Sequence, residues 1–242
     1  MIDLHCHILP GLDDGAFSLD ESLLMAQAAY ESGTRGICCT PHSGRYSKQQ
    51  LLSAFTRFKG ALADRHLSLK IFLGQEIYLT SNYEKQIRDV KEGYPLTIND
   101  TPYLLIEFDP QAHSRILTDA VSLLRAEGYL PIVAHPERYG AVIEDPALGG
   151  RLKDAGALLQ INKGSLKGAF GQGALNTASY LLDEEEADFV ASDGHSPYER
   201  TPKLRAVHAY ISEQYSIDYA DHLLLFNPAR VVTNKPIYPY ND

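Results

Sequence analysis

The chain has 242 residues, with 31 Asp and Glu against 22 Lys and Arg, and a formal charge of −9. That length suits a single domain, 1–242, able to bury a large core without disulfides or a structural metal. The negative field repels polyanions, which disfavours nucleic acid as a partner, and no run of 18 apolar residues is present for membrane insertion.

In chain order, short apolar and β-branched runs alternate with helical patterns. The first run, 2–4, leads into His5 and His7 and lacks the basic and apolar regions of a signal peptide. Ser18-Leu19-Asp20-Glu21 is a capping box before Leu23, Leu24, Ala28 and Ala29, with a stop at Gly33. The run 36–39 precedes His42, and Ser47 opens a helix that places Leu51, Ala54, Phe58 and Leu62 on one face. The run 69–73 is followed by Glu76, then by a weak charged helix over 82–92. Residues 96–98 with Asn99-Asp100 read as a hairpin-like lead into the run 103–106, which ends at Glu107. A helix over 113–127 stops at Gly128. The run 132–134 ends at His135, and a short helix follows over 148–155. The run 157–161 ends at Asn162 and Lys163, and a helix covers 174–184. The last run, 189–191, ends at Asp193 and His195 before a helix over 202–214. The spacing of the runs is that of strand-plus-helix units. Seven of them predict an α/β fold: a TIM-like barrel one strand short, or an open parallel sheet. In either, active residues belong at the C-terminal strand ends. Three cysteines, two of them adjacent, make no disulfide framework, so a cytoplasmic protein is expected.

The strand ends carry the chemistry. His5, His7, His42, Glu76, Glu107, His135, Asp193 and His195 each follow an apolar run, and Asp14 lies in the first loop. A single strand-end His is ordinarily a hydrogen-bonded residue. A whole ring of imidazoles and carboxylates at one end points instead to divalent cations, with Mn²⁺, Fe²⁺ or Zn²⁺ suited to these donors. His5 and His7 are two apart and so share one side of a strand, with Cys6 facing away. Of the other histidines, His66, His208 and His222 read as surface residues, and His113 as a residue at the pocket rim. Arg138, three residues after His135, can reach back over the same strand end.

Cys39-Thr40-Pro41-His42-Ser43-Gly44-Arg45 formally spells C-x5-R, the signature of cysteine-dependent tyrosine phosphatases. Pro41 removes an N–H that such a phosphate loop needs, and Cys39 sits at the end of an apolar strand, so the motif is disfavoured.

The blocks Met1-Ile2-Asp3-Leu4-His5-Cys6-His7-Ile8-Leu9-Pro10-Gly11-Leu12-Asp13-Asp14-Gly15-Ala16, Thr40-Pro41-His42, Gly74-Gln75-Glu76-Ile77, Leu105-Ile106-Glu107-Phe108, Ala134-His135-Pro136-Glu137-Arg138 and Ala191-Ser192-Asp193-Gly194-His195 run in order along the chain. Together they resemble the bacterial PHP-type (polymerase and histidinol phosphatase) protein-tyrosine phosphatases of capsule and exopolysaccharide loci. The resemblance implies a TIM-like PHP barrel, here of seven parallel strands with surrounding helices, and three divalent ions, typically Mn²⁺, with Fe²⁺ or Zn²⁺ as alternatives. One ion would be held by His5, His7, Glu76 and Asp193. A second would take Glu76, Glu107 and His135, and a third Asp14, His42 and His195. The implied reaction is phosphotyrosine hydrolysis by metal-activated hydroxide. Arg138 and Arg200 would act on the phosphate, and the implied substrate is the tyrosine-rich tail of a capsule-type autokinase. Two alternatives stay open: a PHP phosphoesterase for a small monoester such as histidinol phosphate, and an inactive docking module. Segments 110–115 and 162–172 are expected to flank the mouth, and Tyr238 and Tyr240 to pack at the surface.

Overall fold

The computed structural model describes residues 1–238 and Tyr240. Among the described residues, eight parallel strands form two sheets. The first holds β1 (Ile2–Cys6), β2 (Gly36–Cys39) and β3 (Lys70–Leu73), in that order. The second holds β4 (Glu76–Leu79), β5 (Tyr103–Phe108), β6 (Leu130–Ala134), β7 (Leu158–Asn162) and β8 (Phe189–Ala191). Seven strands were expected, and the eighth arises because the third apolar run continues past a break. Gly74 and Gln75 interrupt it, so that β3 pairs with β2 while β4 pairs with β5. A Cβ at Gly74 would lie 3.3 Å from the Ile98 backbone, so glycine lets the chain pass close at that kink.

The two sheets meet at two seams. At one, a bridge pairs Cys6 with Gly194, and the His7 N–H donates to Gly194 O at 2.8 Å. At the other, His42 pairs with Glu76, and the Ser43 N–H donates to Glu76 O at 2.9 Å. The expected metal ligands cluster at these seams.

The helices among the described residues are α1 (Leu19–Glu31), α2 (Lys48–Asp64), α3 (Tyr83–Lys91), α4 (Ser114–Ala126), α5 (Gly140–Glu144), α6 (Leu148–Asp154), α7 (Gly171–Asp183), α8 (Arg205–Gln214), α9 (Ile217–Asp221) and α10 (Asn227–Val232). Ser18 caps α1 through the Glu21 N–H, and Ser47 and Gln50 form a reciprocal capping box on α2. The expected hairpin-like lead is a 3₁₀ turn, Ile98–Asp100, with Asn99 and Asp100 at positive φ. Helices α5, α9 and α10 and the π-turn His222–Phe226 were not expected. No helix among the described residues is long and apolar enough to cross a membrane.

Three apolar clusters place the site. One lies between the second sheet and helices such as α4 and α7, with Ile106, Val133, Leu159 and Leu181. Another packs Ile37 and Cys39 against α1 and α2. The third joins both sheets through Leu4, Cys38, Leu105, Ile132 and Phe189, with Val231 and Val232 of α10 beside them. Along β5, Leu105 belongs to this inter-sheet cluster, and Glu107, two residues on, keeps the same side in the polar layer that follows.

Candidate metal centre

The structure brings all nine expected ligands into one cluster. His5 lies on β1 and His7 follows it. Their Nε2 atoms are 3.0 Å apart, while Cys6 packs into the helix-side core. Glu76 Oε2 lies 3.2 Å from both of these nitrogens, and Oε1 lies 3.1 Å from His135 Nε2. Asp193 Oδ1 approaches His5 and His7 Nε2 at 3.5 and 3.6 Å. Glu107 stands 3.7 Å from both His135 Nε2 and His42 Nδ1. Asp14 joins the outer side, 3.5 Å from His42 and 3.8 Å from His195.

Donor atoms within 4.8 Å of one another fall into four overlapping groups: His5, His7 and Asp193; His5, Glu76 and His135; His42, Glu76 and Glu107; and His7, Asp14, His42 and His195. They overlap the expected three-ion partition, with Glu76 shared. His5 stands in addition beside Glu76 and His135, and His7 joins the outer group. Burial grades outward, from 0–1% side-chain exposure at His5, His7 and Glu76 to 54% at Asp14.

Groups behind the cluster aim the imidazoles. His7 Nδ1 donates to Asp13 Oδ2 at 2.7 Å, His5 Nδ1 to Gln160 Oε1 at 2.8 Å, and His195 Nδ1 to Asp193 O at 3.0 Å. Each bond turns Nε2 toward the cluster, the nitrogen an imidazole ligand offers once it is deprotonated. Asp13 also accepts the His42 N–H at 2.9 Å and the Gly15 N–H at 3.0 Å, so one buried carboxylate organises two loops. Asp13 and Gln160 were not singled out from the sequence. Gln160 is separated from His5 by 155 positions, and only the fold makes them neighbours.

Two ligands occupy costly backbone. His135 and Asp193 have φ of 36° and 49°, in the left-handed region, just beyond β6 and β8. Non-glycine residues there carry strain, and such strain concentrates at functional sites. The His135 N–H bonds to Gln160 O at 2.7 Å and the Asp193 N–H to His5 O at 2.9 Å, which hold both turns.

The electrostatics fit a cation. Burial lowers the His7 pKa, but Asp13 and Glu76 outweigh it and raise it to about 10. Burial and the Glu76 charge push Glu107 up to about 8. Burial and His7 lower His195 to about 3. Burial would raise Asp193, yet His5, His135, His7 and Arg200 hold it well below the usual carboxylate range. Crowded carboxylates and Nε2 atoms that need positive charge between them form a donor set suited to divalent ions.

The cluster floors a cavity of about 400 Å³. Arg138 and Arg200 line it, and both donate to Asp193 Oδ2, at 3.3 and 2.6 Å. Asn162 reaches the same oxygen at 2.7 Å. The Arg138 guanidinium lies 4.4 Å from the Phe170 ring, which puts the segment 162–172 beside Arg138, but neither 162–172 nor 110–115 contributes to the cavity lining, and residues 111–114 border a separate hollow instead. Arg45 and Tyr78 also line the cavity and were not singled out as site residues. His113 is not at this rim: it caps α4 and borders a separate hollow. Cys39 is buried in the helix-side core with its thiol pushed up by burial, which removes the C-x5-R nucleophile. His66 is exposed, while His208 pairs with Asp221 at 2.8 Å and His222 stacks on Tyr240, away from the cavity.

An α/β protein with clustered His, Asp and Glu donors at the ends of parallel strands, and arginines beside them, has the architecture of a metal-dependent hydrolase. Residues 1–233 match the capsular polysaccharide synthesis family CpsB/CapC, and the chain belongs to that family. The tyrosine-protein phosphatase YwqE of Bacillus subtilis (strain 168) is 34% identical over 98% of this chain and 94% of its own. The tyrosine-protein phosphatase CpsB of Streptococcus agalactiae is 30% identical over 97% of this chain and 99% of its own. A solved structure, from work on YwqE of Bacillus subtilis and CpsB of Streptococcus pneumoniae as metal-dependent tyrosine phosphatases, superposes with a TM-score of 0.90. It is 33% identical and covers 98% of this chain and 96% of that one. An organophosphorus hydrolase from Deinococcus radiodurans, 14% identical with a TM-score of 0.60 over 96% of this chain and 92% of that one, shares the fold alone.

Proposed function

We propose that this chain is a manganese-dependent protein-tyrosine phosphatase. In this reading residues 1–242 form one cytoplasmic PHP domain, and the substrate is the phosphorylated tail of a bacterial tyrosine autokinase. The observation that carries the reading is the convergence of nine imidazole and carboxylate residues in one cluster, seven of them lining a cavity shared with Arg138 and Arg200. Family membership supports the substrate class. The two seams support a closed PHP barrel with its third stave broken at Gly74-Gln75.

Three ions fit this donor set: His5, His7, Glu76 and Asp193 for one, Glu76, Glu107 and His135 for another, and Asp14, His42 and His195 for the third. Divalent ions bound there supply Lewis acidity, lowering the pKa of water toward ~7 and offsetting phosphate charge. The chain's own residues do the rest. Arg138 and Arg200 fork onto phosphoryl oxygens and hold them for in-line displacement. Water oxygen bonds to phosphorus as the phosphorus–oxygen bond to the tyrosyl ring breaks, and the proton that water gives up balances the one the departing phenolate takes up, leaving tyrosine and inorganic phosphate. The buried floor favours a phosphate carried on a long rigid ring over one on a short serine side chain.

The test is metal-depleted protein supplied with Mn²⁺, Fe²⁺ or Zn²⁺ and assayed on phosphotyrosine peptide, phosphoserine peptide and histidinol phosphate. The expected result is Mn²⁺-dependent release from phosphotyrosine. A preference for histidinol phosphate would replace this reading with the small-monoester one, and no turnover would favour a docking role.

A further inference from the structure

Among the described residues, the two most exposed large hydrophobic side chains are Phe17, at 85%, and Tyr198, at 75%. Each lies three residues beyond a cavity residue: Phe17 after Asp14, and Tyr198 after His195. The two loops are neighbours, because Cys6 bridges to Gly194 at the seam and Asp14 stands 3.8 Å from His195.

Neither ring has a local structural task. Phe17 occupies the position before the Ser18 cap of α1, where an apolar residue ordinarily packs on the fourth helical residue. That residue here is Ser22, which is buried and itself donates to Ser18 O. Tyr198 sits at the tip of a tight loop. The His195 and Ser196 N–H groups both donate to Arg200 O, at 2.8 and 3.2 Å, and Ser196 Oγ accepts from the Tyr198 and Glu199 N–H groups at 3.1 Å. Lys163 Nζ, donating to Thr201 O and Lys203 O, ties down the far side of that loop. The loop is therefore held firmly while its aromatic tip faces water.

We infer that Phe17 and Tyr198 form an aromatic rim that binds apolar or aromatic side chains flanking the phosphotyrosine of a peptide. The inference rests on the phosphatase reading above. A peptide whose phosphorylated ring enters the cavity leaves its neighbouring residues at the mouth. Exposed rings on rigid loops bind such neighbours at little entropic cost.

The experiment compares wild type with Phe17→Ala, Tyr198→Ala and the double variant, all Mn²⁺-loaded. Three substrates are used: p-nitrophenyl phosphate, a phosphotyrosine peptide with aromatic flanks, and one with serine flanks. Binding of the aromatic- and serine-flanked peptides carrying a non-hydrolysable phosphonate is measured alongside by fluorescence anisotropy. Wild type should prefer aromatic flanks. The double variant should lose about tenfold in kcat/KM on them, mostly through KM, while its rate on p-nitrophenyl phosphate changes less than twofold. Equal handling of the two peptides by wild type, or parallel losses on all three substrates, would overturn the rim. If nothing is hydrolysed yet the aromatic-flanked phosphonate binds tighter and the variants lose that margin, the phosphatase reading fails and the rim stands.

Discussion

The Nε2 atoms of His5 and His7 lie 3.0 Å apart, and both face Glu76 Oε2 at 3.2 Å. Two imidazole lone pairs so close to each other and to a buried carboxylate call for a cation among them. Binding that stabilises only the folded state raises its melting point by mass action. At about 100 times its Kd, an ion adds roughly 2.7 kcal/mol, or on the order of 5–10 °C for a chain of this size. Melting curves with chelator and with Mn²⁺ check this; coincident curves would argue against a cation-stabilised centre.

Arg138 and Arg200 share one acceptor oxygen on Asp193 and border one cavity. Arg138→Ala should cut turnover by roughly 10²–10³ while leaving metal content intact, the size typical of losing one preorganised donor. Arg200→Ala should fall in the same direction. The loss in the double variant should be less than the product of the single losses, because the two groups share one acceptor on Asp193 and, in the proposed mechanism, one phosphoryl group. Unchanged turnover in Arg138→Ala would remove it from the mechanism.

Asp13 touches the centre only through His7 and the His42 backbone. Asp13→Asn keeps the shape but weakens the charge that holds the His7 tautomer. Metal affinity should fall about 10–100-fold, read by calorimetric titration of Mn²⁺, with kcat at saturating metal far less affected. Equal losses in both would make Asp13 a part of the reaction.

Gly15 is forced by a close approach: a Cβ there would lie 2.0 Å from His7 O. Because the clash is with backbone, the first loop must move. Gly15→Ala should cost about 1–3 kcal/mol or more in urea unfolding, with metal affinity lost as well, since Asp13 and Asp14 shift with it.

Cys39→Ser should remain active at saturating Mn²⁺. Its cost should appear in stability, about 1–3 kcal/mol for a hydroxyl placed in an apolar cluster, and denaturant melts separate the two effects. Loss of activity without loss of stability would restore the cysteine chemistry.

The cluster of candidate ligands was legible because strands alternate faces and parallel α/β folds collect such residues at one end. His7, His135 and Asp193 lie just beyond strands, and His5 near the end of β1, so their positions could be read directly. Glu76 and Glu107 were found by the same logic, although they belong to strands, the first opening β4 and the second lying inside β5. The break at Gly74-Gln75 was not legible: a four-residue strand after a glycine has too little pattern to separate from a loop. Helix α10, with Pro228 in its first turn, follows a π-turn and gives no clean helical period. Asp13, Gln160 and Arg45 were missed for another reason. Gln160 meets His5 only across the seam between the sheets, and Arg45 meets Asp14 from the next loop, so no local spacing announces either; Asp13 bonds His7 six residues back, but in the sequence a loop Asp beside Asp14 reads as an ordinary turn residue.

The three thiols, Cys6, Cys38 and Cys39, are all buried, and none lines the cavity. Their pKa values are pushed up by burial, so little thiolate exists to react. Peroxide and thiol-selective reagents that silence thiol-dependent enzymes by sulfenylation or alkylation find no cysteine lining this cavity. The imidazoles, carboxylates and guanidiniums around the cavity do not climb that oxidation ladder, so the protein scaffold of the centre persists under oxidant conditions that would inactivate a cysteine-based hydrolase.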